Sequence, residues 1–396
     1  MPRTILHLDL DAFFCAVEEQ RDPTLCGKAF AVGARPEARG VVASCSYAAR
    51  RFGIHSAMPM SQARRRCPQL LIIPPHFSAY RAVSEQVMAR LRALTPFVEQ
   101  LSIDEAFIDV SALEIPGQTL AERLQTTIRE ELGLPCSVGV ASNKLLAKIA
   151  TDVGKATTRP GISPNALCVV PPGTEAAFLA PLPTRALWGV GPKTAERLAA
   201  LGMRTIGELA QWPETELMRR FGKSGYDLAR HARGLDERAV QPLHTAKSLS
   251  KETTFSQDVA EEAALRQTLQ SQAAGLSLAL RHKRLRGATI TLKLRWPDFT
   301  TVTRQTTLAE ATDQETVIAT TALHLLSQVW QGENPVRLLG VGVSALEEPS
   351  YQPGLWEEVA APRVEQRRAQ EVLRQLQTRY GASVVFWGNE WGRRET

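Results

Sequence analysis

The sequence predicts a multidomain α+β protein, and three observations carry that reading. The chain has 396 residues and 44% hydrophobic content, enough for two to four domains with cores of their own. Strand-like and helix-like segments alternate from the N-terminus to about residue 165. Short helices then dominate to about residue 235, and a second mixed region runs from about 251 to 346.

The elements follow in order. Residues 3–10 form a strand, and residues 12–20 a helix that starts just after Asp9 and Asp11. Residues 29–33 and 40–46 are β-prone, with a turn at Gly33-Ala34-Arg35-Pro36 between them. Helical spacing recurs over 57–67 and 77–94. Residues 98–110 fit a hairpin turning at Asp104-Glu105. A helix over 118–132, a strand over 135–141 and a helix over 143–153 complete the first region. Pro160-Gly161 and Pro171-Pro172-Gly173 mark the change to short helices. Residues 236–250 are polar and irregular, the composition of a linker. Strands are expected near 251–258, 287–296, 300–308 and 336–346, with long helices at 259–284 and 312–331. A loop over 347–356, a charged helix near 361–379 and a strand from Ala382 to Trp387 end the chain. There is no internal repeat and no low-complexity tract.

The formal net charge of +6 suits a polyanionic partner. The six cysteines form no C-x-x-C pair and have no histidine cluster beside them. They read as free thiols of a reducing compartment and speak against a zinc site. The N-terminus runs straight into a strand, so it is no signal peptide, and no apolar run approaches the ~18 residues of a membrane span. A soluble cytoplasmic protein is expected.

The chemistry concentrates in two acidic segments. Ile5-Leu6-His7-Leu8-Asp9-Leu10-Asp11 and Ser102-Ile103-Asp104-Glu105-Ala106-Phe107 set carboxylates beside apolar, β-prone runs. Such anions need a compensating charge, because an unpaired buried carboxylate is very costly. Acids meeting at strand ends suit Mg²⁺, a hard cation that prefers oxygen. Two such ions can activate an attacking hydroxyl and stabilise a departing phosphate. These residues alone point to metal-dependent phosphoryl transfer. Asp9 and Asp11, two apart on a strand, share a face. Only one need be a ligand, and the other could cap the following helix.

Further motifs point to phosphates. Tyr47 and Arg50, three apart in Ser44-Cys45-Ser46-Tyr47-Ala48-Ala49-Arg50, could hold a triphosphate, or be a core tyrosine beside a surface arginine. Ser137 to Lys148 reads as a strand, a polar turn and a helix carrying Lys144 and Lys148, which could equally be a solvated face. Lys155 lies beyond that helix, within reach of a phosphate. Gly189-Val190-Gly191-Pro192-Lys193-Thr194-Ala195 exposes backbone N–H groups where a helix opens, a seat for a DNA phosphate that reads no base. Residues 281–304 gather Arg281, Lys283, Arg284, Arg286, Lys293, Arg295 and Arg304 against one acid, Asp298. Within 287–295, Lys293 and Arg295 share a face with Thr289 and Thr291, opposite Ile290, Leu292 and Leu294. That basic face suits a duplex backbone, or is an ordinary solvated one.

Together these residues resemble the Y-family DNA polymerases, specifically the DNA polymerase IV branch. The motifs are L-D-L-D-A-F-F-C-A-V-E at 8–18, S-C-S-Y-A-A-R at 44–50, S-I-D-E-A at 102–106, V-G-V-A-S-N-K-L-L-A-K at 138–148, the G-V-G-P-K-T-A hairpin and V-R-L-L-G-V-G-V-S at 336–344. The resemblance implies a right-hand polymerase. Its ferredoxin-like palm would be 1–10 and 77–165, with small fingers at 11–76. A helical thumb with a helix-hairpin-helix would be 166–235, a linker 236–243, a mixed α/β little finger 244–345, and a tail 346–396. It implies two Mg²⁺ ions on Asp9, Asp104 and Glu105, assisted by the Leu10 carbonyl, with Asp11 at a position that is not usually a ligand. Phe14 would be the steric gate that excludes a ribose 2′-OH. Phe13, Ser44, Tyr47, Arg50 and Lys155 would meet the dNTP. The family usually has Lys-Pro just after its N-K-x-L-A-K helix, whereas here Lys155 is followed by Ala156-Thr157-Thr158-Arg159-Pro160, so either Lys155 or Arg159 could serve. Gly189, Gly191, Lys193, Arg284, Arg286, Lys293 and Arg295 would contact DNA.

The implied reaction is attack of a primer 3′-OH on the α-phosphate of a dNTP, releasing pyrophosphate. Small residues such as Ala43 in the fingers would press weakly on the nascent pair, giving low fidelity and lesion tolerance. Gln352, Leu355 and Trp356 resemble the sliding-clamp peptide Q-x-x-L-F. The implied partners are primer–template DNA, a dNTP and the clamp; no membrane is implied, and the chain would act as a monomer. A non-catalytic scaffold at the clamp would have lost the metal carboxylates, and all three are present. A cyclase or nuclease with a related palm would lack the thumb and the basic sheet.

Overall fold

A computed structural model of the chain describes residues 3–158, 161–243, 245–332 and 334–348, with residue 372. The order begins β1 (Ile5–Leu10), α1 (Phe13–Arg21), β2 (Phe30–Gly33), β3 (Val42–Cys45), α2 (Tyr47–Arg50), α3 (Met60–Arg66), β4 (Leu71–Ile73) and α4 (Phe77–Leu94). It continues with β5 (Val98–Gln100), β6 (Glu105–Asp109), α5 (Gly117–Leu132), β7 (Cys136–Ala141), α6 (Lys144–Ala156) and β8 (Leu167–Val169). Five helices follow among the described residues: α7 (Glu175–Leu179), α8 (Pro192–Ala200), α9 (Ile206–Ala210), α10 (Glu214–Phe221) and α11 (Lys223–Ala232). Last come β9 (Ser248–Val259), α12 (Glu262–His282), β10 (Arg286–Arg295), β11 (Thr301–Thr312), α13 (Glu315–Val329) and β12 (Val336–Glu347). Apart from residue 372, the expected helix at 361–379 lies outside the described residues, as do the strand at 382–387, the clamp residues Gln352, Leu355 and Trp356, and Arg159.

Three sheets organise the described residues, in the orders β5-β6-β1-β7-β8, β3-β2-β4 and β11-β10-β12-β9. In the first, β1 is central and antiparallel to both β6 and β7. Alternation along β1 divides its residues. Leu6, Leu8 and Leu10 enter one core with Tyr80, Val87 and Leu91 of α4 and Leu120, Leu124 and Ile128 of α5. Ile5 enters the other core, with Phe107 of β6 and Leu145, Leu146 and Ile149 of α6. Asp9 therefore faces α6. That helix sits close because Gly139 on β7 has no side chain: a Cβ there would lie 2.0 Å from the Ala147 carbonyl oxygen. The second core extends without a break into α8, α9, α10 and α11 through Leu198, Leu209, Leu217 and Leu228. The four-stranded sheet packs Ile290, Leu292 and Leu294 against Leu269 and Leu276 of α12 and Ile318 and Leu325 of α13.

Several expectations change. The hairpin turn falls at 101–104, and Glu105 opens β6 rather than sitting in the turn. α6 continues through Lys155, which lies in its last turn rather than beyond the helix. Lys144 is buried rather than solvated, at 5% exposure. Residues 234–241 are docked on the first unit instead of running free. Asn143 Nδ2 donates to the Gly234 carbonyl (2.9 Å), Lys144 Nζ to the Ala239 carbonyl (3.2 Å), and Gln241 N–H to Glu99 (2.8 Å). Asp236 accepts the Leu145 N–H at the start of α6 (3.1 Å) and forms an ion pair with Arg238 (2.7 Å). One further contact joins distant parts: Arg39, in the turn between β2 and β3, donates to Asp258 at the end of β9 (2.6 Å).

Candidate active site

The register of β1 against β6 sets Asp9 directly opposite Glu105, both on the face covered by α6. Asp104 ends the preceding turn, where its carbonyl accepts the Leu10 N–H (3.0 Å) and its carboxylate accepts the Ser102 hydroxyl (2.5 Å). The ends of two interior strands therefore bring the three expected acids, and the Leu10 main chain, together.

Two lysines about two helical turns apart on α6, Lys148 and Lys155, lie over these acids. Lys155 Nζ is 2.5 Å from Asp9 and 3.2 Å from Asp11. Lys148 Nζ donates to both Glu105 oxygens at 3.1 Å. Burial pushes the Asp9 carboxyl up to about 7 against the pull of Lys155, and Glu105 adds to the rise. Burial works against the Lys155 charge too, yet Asp9 and Asp11 hold its ammonium above the ordinary lysine value. Among the described residues no three His, Cys, Asp or Glu groups close on one point. Lysines hold the acids instead. The donor set nevertheless fits a hard divalent cation: all-oxygen, at the ends of two paired strands, with an Asp9 anion that one lysine leaves undercompensated.

Asp11 does not cap α1. The N-cap is Ala12, in the left-handed region at φ 47°, with no side-chain cap. Asp11 is fully buried and turns to β7 instead, accepting the Ser137 hydroxyl at 3.0 Å on both oxygens and the Asn165 N–H at 2.9 Å.

Phe14 stacks on Tyr80, with ring centroids 4.3 Å apart and 12° between planes, and meets Phe77 edge-on at 6.0 Å. Tyr80 is fixed by its hydroxyl, which donates to Glu18 at 2.5 Å, and Glu18 also contacts His76 (2.8 Å) and Arg21 (3.2 Å). This support for Phe14 went unread, because its members are spread over 62 positions. Phe13 is 2% exposed and packs edge-on against Tyr80, so only its main chain can meet a ligand. Ser44 is buried and receives the Cys15 thiol at 3.6 Å. Arg50 lies over the Tyr47 ring at 4.7 Å. Burial raises the Tyr47 phenol, and the charges of Asp11 and Asp9 add to the rise.

Gly189 has φ 96°, which glycine alone adopts freely, and Gly191 precedes Pro192 at the first position of α8. A Cβ at either glycine would touch nothing within 4 Å, so this backbone is open to a ligand. Upstream stands only a 3₁₀ turn, Thr184–Ala186, in place of a full helix. On β10 the expected alternation holds: Ile290, Leu292 and Leu294 are buried, Lys293 and Arg295 are not. Lys293 is held by Glu252 (2.9 Å), and Arg295 donates to Thr301 (2.8 Å). Arg284 takes φ 53°, and the buried Arg286 Nε has no partner among the described residues.

No helix among the described residues is long and apolar enough to cross a membrane. The impB/mucB/samB family model matches residues 8–152, and its C-terminal domain model matches residues 246–355. A model for the DNA polymerase-iota thumb domain matches residues 185–236. DNA polymerase IV of Halorhodospira halophila is 41% identical over 361 residues, spanning 89% of this chain and 98% of that protein. DNA polymerase IV of Streptomyces coelicolor is 45% identical, over 92% of this chain and 75% of that protein. DNA polymerase IV of Dehalococcoides mccartyi is 38% identical, over 98% of each. Among solved structures, a Y-family DNA polymerase chimera, Dbh-Dpo4(243-245)-Dbh, superposes with TM-score 0.77 at 25% identity, covering 87% of this chain and all of the chimera. The acids, the hairpin, the basic sheet and these likenesses converge: this chain belongs to the Y-family of DNA polymerases, on the DNA polymerase IV branch.

Proposed function

We propose that Asp9, Asp104 and Glu105, with the Leu10 carbonyl, hold two Mg²⁺ ions through which this translesion DNA polymerase extends a primer. The observation that carries the assignment is the pairing of Asp9 with Glu105 across β1 and β6, with Asp104 one residue before. When bound, such ions lower the pKa of the primer hydroxyl and neutralise the triphosphate. The residues of the chain supply position. Lys155, with Tyr47 and Arg50, receives the triphosphate, Arg50 through its guanidinium fork and Lys155 as a point charge. Ser44 and the Phe13 main chain complete that contact. Phe14, set by its stack on Tyr80, occupies the space a ribose 2′-OH would need.

We assign 1–10 and 77–165 to the palm, 11–76 to the fingers, 166–235 to the thumb and 244–345 to the little finger. Residues 236–243 connect the last two, and the part of that segment up to Gln241 lies against the palm. Gly189, Gly191 and Lys193 seat a DNA phosphate, and Arg284, Arg286, Lys293 and Arg295 follow the duplex backbone. Gln352, Leu355 and Trp356 engage the sliding clamp. The protein works as a monomer in the cytoplasm, where its cysteines stay reduced.

The test is a terbium luminescence titration of the DNA-bound enzyme, with Tb³⁺ standing in for Mg²⁺. Asp9→Asn, Asp104→Asn and Glu105→Gln should each weaken Tb³⁺ binding at least ~10-fold, the scale of one lost charged ligand. Unchanged binding in all three would remove the ligands from this site.

A further inference from the structure

We propose that Asp11 is a positioning residue for nucleotide binding: it anchors Lys155 at the floor of the site, so that the lysine is presented to the triphosphate once Asp9 is taken by metal. The inference rests on Lys155 being a triphosphate contact, as read above.

Asp11 is suited to this and unsuited to ligating an ion. Its carboxylate is fully buried. Ser137 donates to both oxygens at 3.0 Å, and the Asn165 N–H donates to Oδ2 at 2.9 Å. Ser137 is itself fixed, because its hydroxyl accepts the Ala166 N–H at 3.0 Å. Asn165 takes φ 41°, a left-handed conformation that Asn tolerates, and its N–H meets the carboxylate from there. Strand β7 and the segment leading into β8 thus clamp the group from one side. From the other side comes the Lys155 ammonium, at 3.2 Å from Oδ1.

Lys155 stands between two unlike acids. Asp9 lies near the end of the central strand among the proposed metal ligands, whereas Asp11 is walled in by donors. A divalent cation on Asp9 repels the ammonium, and Asp11 is then what retains it. The lysine then keeps its place in the last turn of α6. Without the Asp11 charge, Lys155 has only Asp9 to hold it: metal and lysine compete for one carboxylate, and the displaced lysine has no fixed place.

The experiment is a double-mutant cycle on the enzyme bound to primer–template DNA. It reads the Kd of a non-hydrolysable α,β-imido dNTP by calorimetry in Mg²⁺, with thermal melts of each variant. Asp11→Asn keeps the shape and can still accept from Ser137 and Asn165. Ser137→Ala loosens the carboxylate but leaves its charge. Lys155→Gln should weaken the analogue about 10-fold, the scale of one charge-assisted hydrogen bond. Asp11→Asn should weaken it by a similar factor, Ser137→Ala by less, and the double variant Asp11→Asn, Lys155→Gln no more than Lys155→Gln alone. Multiplying effects of about 100-fold in the double variant would make Asp11 a structural residue and overturn the proposal. So would an unchanged Kd in Asp11→Asn. An unchanged Kd in Lys155→Gln would instead overturn the reading of Lys155 itself, and the proposal with it.

Discussion

Replacing Lys144 by methionine should destabilise the protein far more than the loss of an ordinary helix lysine. Lys144 opens α6, where a cation opposes the helix dipole. It is tolerated because its ammonium lies 2.6 Å from Glu99, with side chains only 6% and 5% exposed. The same ammonium donates to the Ala239 carbonyl and lies 5.4 Å from the Phe107 ring centroid. Lys144→Met keeps the length and removes the charge, leaving Glu99 buried without its lysine. Breaking a buried pair from one side costs roughly 3–5 kcal/mol. At about 2–4 °C per kcal/mol, the melting temperature should fall by roughly 6–20 °C. The double variant Lys144→Met, Glu99→Met should recover most of that, since an apolar pair of similar volume is often neutral. Thermal melts followed by circular dichroism, with limited proteolysis at 236–243, read both the stability and the docking of that segment. A single variant melting within about 4 °C of the parent would refute the reasoning, because a solvated pair contributes at most about 1 kcal/mol.

Phe14→Ala should retain dNTP incorporation and cut discrimination against ribonucleotides roughly 10- to 100-fold, the scale of a relieved steric clash; primer extension with rNTPs would show it, and continued rejection would sink the gate assignment. The Asp9 carboxyl, raised by burial from an ordinary 3.8 to about 7, keeps a proton in the folded metal-free protein that the unfolded chain has already released. The contribution of Asp9 to metal-free stability should therefore fall as pH rises between about 4 and 7. Mg²⁺ should reverse that trend, and Asp9→Asn should remove it. Melting temperatures at pH 5 and pH 8, with and without Mg²⁺, test the sign. Gln352→Ala with Leu355→Ala should reduce clamp-stimulated synthesis and leave clamp-free synthesis intact; unchanged clamp binding would reject that loop.

The acids were legible because strand alternation and a tight turn leave few places for them to go. Asp9 and Glu105 meet through register, and the apolar runs around them fix that register by burying Leu6, Leu8, Ala106 and Ile108. The start of α6 was legible as well: Asn143 caps it, its side chain accepting the Leu146 N–H. Its end was not, because Gly154 invites a stop that packing against Ala166 and Cys168 does not require. The strands β4 and β8, three residues each, are too short to show a period. Lys144 could not be placed, since its partner Glu99 is 45 residues away. The docked segment 234–241 escaped for a related reason. Much of it is held through main-chain carbonyls that accept from Arg3, Asn143 and Lys144, and carbonyls carry no sequence signature. Asp11 looked like a cap by residue type, yet the chain takes a left-handed turn at Ala12 and sends the carboxylate to Ser137.

The most direct test of the central claim is primer extension on a primed template with Mg²⁺ and dNTPs, comparing the parent with the Asp104→Ala, Glu105→Ala double variant. The account predicts short, distributive products from the parent and none from the variant, with primer–template binding retained in both. Extension by the variant at the parental rate would place the chemistry elsewhere and contradict the account.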